Sequence, residues 1–254
     1  MALADRDWNS RSFYSSGSLP KGVKWLLIIN CAIFVLEFFS AGTQYFAPFR
    51  ILGLVPRSFL ESFALWQIFT YMFLHAPGDL THILFNMLTL YWIGVSLEQT
   101  WGTRRFLRYY ILCGLGAGAS VVLLNYLFGT PDVWTIGASG AIYGLLLAFG
   151  VLFPDAQMLF MFLFPMKAKH MVILLGAISF LLTFRATGGG VSHVAHLGGL
   201  LTGLILLKSR ALPSIDLGGS IRQRYKEWKF QRAKKKFQVY LRKKDHRDPD
   251  RWVQ

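Results

Sequence analysis

Long apolar runs broken by short polar, glycine- or proline-containing stretches dominate the chain. On this pattern six segments predict membrane-crossing helices: Trp25 to Ala41, Thr81 or His82 to Leu97, Phe106 to Phe128, Ile136 to Phe153, His170 to Phe184 and Val194 to Leu207. Glu98 with Gly102, the turn Gly129-Thr130-Pro131-Asp132, and Pro154-Asp155 supply the stops. A helix needs ~20 apolar residues to cross a bilayer core. The last two segments are shorter, and Lys169, Arg185 and Lys208 extend them by snorkelling to the interface. Residues 42 to 81 carry too many aromatics for a solvated loop, among them Phe46, Phe59, Trp66 and Tyr71, and predict a segment that lies in or dips into the membrane interface. Met158 to Met166 is too short to cross and reads as part of a membrane-hugging loop. The expected fold is all-α: a polytopic bundle of six transmembrane helices (residues 23–208) with a membrane-embedded first loop. A polar N-terminal segment (1–22), expected to be poorly ordered, and a basic C-terminal tail (209–254) flank it.

Composition agrees with this reading. Hydrophobic residues make up 54% of the 254, charged residues 16%, and the mean hydropathy is +0.40, far from the balance of a soluble domain. Cys31 and Cys113 both fall inside apolar runs and read as small packing residues. The N-terminal segment mixes Asp5, Arg6, Asp7 and Arg11 with serines and enters the first apolar run without a small-residue cleavage site, which argues against a removable signal peptide.

Charge orients the spans. Lys21, Lys24, Arg104, Arg105, Arg108, Lys167, Lys169 and the whole tail fall on one side of the six-span alternation, and Arg50, Arg57 and Arg185 on the other. The positive-inside rule therefore predicts cytoplasmic termini. From Lys208 onward the chain holds fifteen basic side chains against five acidic ones, above an apolar stripe that includes Ile221, Tyr225, Trp228, Phe237 and Tyr240. That pattern predicts a basic amphipathic helix on the anionic cytoplasmic leaflet rather than a nucleic-acid site.

With this topology His82, Ser139 and His196, each near the start of an even-numbered span, lie within one or two turns of the same non-cytoplasmic face. Polar side chains in spans call for a partner or a task. Ser139 sits in Gly137-Ala138-Ser139-Gly140, and Gly140-xxx-Gly144 on that span and Gly199-xxx-Gly203 on the last are small-xxx-small stripes that bring backbones close. Taken alone, Ser139 is accounted for by packing. Close backbones also make a serine-to-imidazole hydrogen bond feasible, which is what general-base activation of a hydroxyl needs. His82 and Asn86, four residues apart, share a helical face and serve either as oxyanion donors or as interhelical hydrogen-bond partners. A metal site built from His75, His82, His193 and His196 would lack the cysteine pair or the general-base carboxylate usual for zinc, so neither metal nor cofactor is expected.

Three ordered motifs, Gly137-Ala138-Ser139-Gly140 followed by Tyr143, His82-Ile83-Leu84-Phe85-Asn86, and Ala195-His196-Leu197-Gly198-Gly199, resemble the GxSG, HxxxN and AHxxG motifs of the rhomboid intramembrane serine proteases. The resemblance covers about Trp25 to Lys208 and implies a six-span bacterial-type core in an inner membrane. It further implies a catalytic dyad of Ser139 and His196, an oxyanion hole of His82, Asn86 and the Ser139 amide, and Tyr143 stacked on the imidazole. Gly137 leaves room for substrate backbone beside the nucleophile, and Glu98 with Gly102 resembles the family's structural Glu-xxx-Gly turn. Trp66-Gln67 departs from the family's tryptophan-arginine pair, which bears on the hydrogen bonds of the first loop. The implied substrate is another protein's transmembrane helix. The competing class is a non-catalytic rhomboid-like protein that binds such helices; those relatives lack the serine or the histidine, and both are present here.

Overall fold

The computed structural model describes residues 18–128, 131–160, 163–184 and 192–209. All belong to one compact unit, Met1–Leu212. The predicted basic helix of the tail, the N-terminal residues 1–17 and Arg185 lie outside the described residues.

Among the described residues three helices are long and apolar enough to cross a membrane: α1 (Lys21–Ser40), α5 (Leu80–Trp101) and α6 (Thr103–Phe128). Three shorter apolar helices accompany them, α7 (Ser139–Leu152), α8 (Ala168–Thr183) and α9 (His193–Lys208). Between α1 and α5 the chain makes the short helices α2 (Ala47–Leu52), α3 (Pro56–Glu61) and α4 (Gln67–Thr70), flanked by 3-10 turns at Gln44–Phe46 and Tyr71–Phe73.

The first loop is thus helical in pieces, and Gln67 holds the pieces together. Its side-chain oxygen accepts the Val55 N–H (3.0 Å) and its nitrogen donates to the Ile51 carbonyl (3.1 Å). Trp66 Nε1 donates to the same carbonyl (3.1 Å) and the Thr70 hydroxyl to that of Leu52. A neutral amide carries one acceptor and two donors, so it satisfies both polarities of the backbone it faces, which a guanidinium, a donor only, does not. The loop is tied to the next by Leu54 and Thr135, which exchange backbone hydrogen bonds of 2.9 and 2.8 Å. Arg57 adds an exposed ion pair to Asp132 (2.7 Å).

Two details depart from an all-helical bundle. Residues Gln157–Phe160 (β1) and Phe164–Lys167 (β2) pair antiparallel, Gln157 opposite Lys167. Periodicity cannot distinguish so short an apolar run from a loop; Pro154 ends α7, and Lys167 and Lys169 both reach Asp155 (3.1 and 3.0 Å), closing the hairpin's base. These two ammonium groups hold the Asp155 carboxyl below its ordinary range. The fourth apolar segment also becomes helical only at Ser139, because Thr135 is committed to Leu54 and Gly137 adopts φ +124°, open only to glycine.

α1 is docked by a carboxylate at its start. The Gly22 and Val23 amides donate to Glu98 (2.8 and 2.7 Å), which is buried near the end of α5 and also accepts from the Thr103 hydroxyl (2.6 Å). An acidic group suits the partial positive charge and the unpaired N–H groups of a helix N-terminus. Gly102, at φ +78°, turns the chain from α5 into α6.

The core lies where α6, α7 and α9 meet. In lipid, close packing rather than water exclusion drives helix association, so small residues mark the contacts. Gly140 and Gly144 of α7 face Gly199 and Gly203 of α9 so closely that a Cβ on Gly199 would stand 1.9 Å from the Gly140 carbonyl oxygen. Behind them Tyr109 donates to the Gly144 carbonyl (3.0 Å) and Tyr71 to that of Gly114 (2.7 Å). Both phenols are buried, so these bonds also meet the cost of taking a hydroxyl out of water.

Candidate active site

Three helix N-termini converge on one spot. Ser139 is the first residue of α7, His196 lies in the first turn of α9, and His82 in the first turn of α5. Each start is specified locally. Asp79 caps α5 by accepting the Thr81 and His82 amides (3.0 and 3.2 Å), contacts led by the Thr81 hydroxyl that hold its carboxyl below the usual range. Ser192 caps α9 by accepting the Ala195 amide (3.2 Å). At α7 the Gly137 N–H is held by the Tyr71 carbonyl (2.9 Å) instead. Aligned N-termini present partial positive charge and free N–H groups, a setting suited to developing negative charge.

Within this focus Ser139 Oγ lies 2.9 Å from His196 Nε2. The Tyr143 ring, one turn along α7, stacks on the imidazole with centroids 4.0 Å apart and planes 7° from parallel. On the far side Ser179 of α8, buried, lies 3.3 Å from His196 Nδ1 and donates to the Tyr143 hydroxyl at 3.2 Å. Both ring nitrogens of His196 therefore face hydroxyls. In the tautomer protonated at Nδ1, Ser179 accepts from Nδ1–H and donates to Tyr143, and Nε2 is left as the acceptor for the Ser139 proton. That is the tautomer a general base requires.

His82 borders the opposite side of Ser139: a Cβ placed on Gly137 would stand 2.9 Å from His82 Nε2 and 3.7 Å from Ser139 Oγ. Glycine at 137 thus keeps space open beside both groups. Asn86, one turn beyond His82, directs its carboxamide nitrogen to His75 Nε2 (3.0 Å), and the His75 and His82 rings are 5.2 Å apart. The structure therefore gathers Ser139, His196, Tyr143, Gly137 and His82, with Asn86 adjacent and engaged by His75.

A cavity of about 820 Å³ opens beside this group between α5 and the α7–α8 pair, lined by Asn86, Trp92, Ser96, Tyr143, Met171 and Leu175 among others. Ser179 is the site residue that sequence reasoning missed. A lone serine in an apolar helix has no spacing signal, and only the packing of α8 on α9 brings it to the imidazole.

A helical membrane protein with a serine and a histidine in hydrogen-bond contact at its buried helix ends is the class this arrangement defines. The Rhomboid domain family model matches residues 62–210, more than half of the chain, and the chain belongs to the rhomboid family. It is accordingly an integral membrane protein. Similar proteins include RHOMBOID-like protein 1 of Arabidopsis thaliana, 35% identical over 144 residues (56% of this chain, 33% of that protein). Rhomboid protease AarA of Providencia stuartii is 30% identical over 158 residues (56% and 54%). Putative rhomboid protease YdcA of Bacillus subtilis is 34% identical over 144 residues (56% and 65%). The matched stretch spans from a third to just under two thirds of these relatives.

Proposed function

We propose that the chain is an intramembrane serine protease that cleaves transmembrane-helix substrates near the non-cytoplasmic face. The observation that carries this reading is the 2.9 Å contact of Ser139 Oγ with His196 Nε2. His196 takes the Ser139 proton as Oγ attacks the scissile carbonyl, and returns it to the leaving amine. His82, Asn86 and the Ser139 amide stabilise the oxyanion. Water from the non-cytoplasmic side then hydrolyses the acyl-enzyme. Among the described residues no carboxylate partners Nδ1; Ser179 fixes the tautomer in its place and Tyr143 fixes the plane of the ring.

In this reading all six apolar helices cross the bilayer, both termini are cytoplasmic in a bacterial inner membrane, and the basic tail rests on the anionic leaflet. At ~1.5 Å per residue the 14 residues of α7 fall well short of a ~30 Å hydrocarbon core. Because α7 is buried on most of its length, it need not match the lipid, and Ser139 at its upper end sits below the membrane surface. The cavity beside Tyr143 and Asn86 gives an unwinding substrate helix lateral room.

Incubation with a fluorophosphonate serine-hydrolase probe tests the reading: labelling should map to Ser139 and vanish in His196→Ala. A folded protein that binds transmembrane helices but never labels would instead be a non-catalytic relative. Ser179→Ala should lower kcat about tenfold with KM unchanged, since it frees the imidazole tautomer without touching substrate; unaltered kcat would remove Ser179 from the mechanism.

A further inference from the structure

Glu37 is a carboxyl on the apolar helix α1, entirely shielded from solvent. A buried acid in a membrane helix is costly and calls for a task. Its Oε2 accepts the backbone N–H of His75 at 3.0 Å, across 38 residues of sequence, while Oε1 has no hydrogen-bond partner among the described residues. His75 lies in the non-helical stretch between the 3-10 turn at Tyr71–Phe73 and α5, where no helix or strand ladder supplies its amide with an acceptor. A buried amide left unpaired there would carry the desolvation cost of an unmade bond, so Glu37 sets where this backbone rests.

The His75 side chain, also fully buried, extends that placement toward the site. An amide nitrogen only donates, so Asn86 Nδ2 gives one proton to His75 Nε2 (3.0 Å) and keeps the other. The same imidazole packs on the His82 ring, 5.2 Å between centroids and inclined by 60°. One residue held by Glu37 thus touches both α5 side chains assigned to the oxyanion.

We propose that Glu37 is a positioning residue for the oxyanion side of the site, anchoring His75 so that its imidazole aligns the Asn86 carboxamide. This rests on the reading of Asn86 as an oxyanion donor given above. A purely structural role predicts a different outcome on substitution: removing the acceptor leaves the His75 amide unpaired, which lowers stability but leaves turnover per folded molecule untouched. Positioning predicts that turnover falls while substrate binding does not, because an oxyanion donor acts in the transition state.

The test uses the full chain in liposomes with a reporter transmembrane substrate. Glu37→Leu should lower kcat per folded molecule about tenfold with KM unchanged, alongside the lower Tm expected of an unpaired buried amide, and Glu37→Gln, which keeps an acceptor oxygen for the His75 amide, should rescue kcat to within about threefold. His75→Leu, which leaves the backbone on Glu37 but removes the ring, should reproduce the tenfold loss and serves if Glu37→Leu does not fold. Asn86→Ala should cost about a hundredfold, and Glu37→Leu should add nothing in that background, since both act through one carboxamide. Full kcat in both Glu37→Leu and His75→Leu, or losses that multiply with Asn86→Ala, would overturn the positioning role and leave the oxyanion reading standing. A neutral Asn86→Ala would overturn both.

Discussion

Ser139→Ala and His196→Ala should each abolish cleavage of a transmembrane substrate, by at least about 10⁴-fold in kcat, and the double variant should be no worse than either single one. The equality is the informative part. Ser139 and His196 share one hydrogen bond of 2.9 Å, and a nucleophile without its base, or a base without its nucleophile, leaves only what the oxyanion donors contribute. Ser139→Ala should keep the parent's melting temperature, since the smaller alanine occupies the helix start without clash. His196→Ala empties a buried site and takes a partner from the Ser179 hydroxyl, so it should melt earlier, and its activity is read per folded molecule. Cleavage of a quantified substrate in liposomes, with thermal unfolding followed in parallel, checks this. Persistent cleavage by either variant would remove the dyad from the mechanism.

The second large effect comes from a residue with no chemistry. Gly199→Ala places a methyl against the Gly140 carbonyl oxygen, where the ideal Cβ would be 1.9 Å away. Backbone atoms on two packed helices cannot yield as a flexible side chain does, so α7 and α9 must separate by an ångström or more. Overpacking of this kind costs about 1–3 kcal/mol. The catalytic cost is larger. Ser139 adjoins Gly140 and His196 stands one helical turn from Gly199, so the contact that brings the glycines together also sets the distance from hydroxyl to imidazole. A displacement of about 1 Å from the reactive geometry lowers turnover about a hundredfold. Gly199→Ala should therefore melt earlier and turn over far more slowly, while Gly78→Ala, whose Cβ would meet nothing within 4 Å, should lack the packing clash and leave the Ser139–His196 distance intact. A Gly199→Ala enzyme with unchanged turnover would dissociate the small-residue stripe from the site.

Much of this was readable from residue order because each motif carries its own placement. Ser139 and Tyr143 stand four residues apart on a single helix, so position on one face follows from periodicity, and the same holds for His82 with Asn86. What the sequence could not disclose are contacts between elements whose relative rotation is set only by packing. Ser179 lies 17 residues before His196 on a different helix, and Glu37 lies 38 before His75; no spacing rule connects either pair. The hairpin Gln157–Phe160 with Phe164–Lys167 escaped for another reason, since its strands are four residues each and Met158-Leu159-Phe160 run apolar in sequence without a polar alternation. Gln67 stands where the family carries arginine, and it takes up backbone donors and acceptors alike, a function visible only once residues 51–55 are folded against it.

The seat of α1 has a bearing on where this molecule can be divided. The family match begins at residue 62, after α1 has ended, yet Glu98 within the matched region spends its carboxylate on the Gly22 and Val23 amides outside it. Gly94 is shaped to the same visitor, for a Cβ there would press on Val23 at 2.9 Å. A fragment cut at the edge of sequence similarity would leave a naked anion and an empty groove facing lipid. The boundary that evolution's shared residues draw and the boundary that physics enforces are two different lines on this chain, and any truncation meant to isolate a minimal rhomboid domain should follow the second.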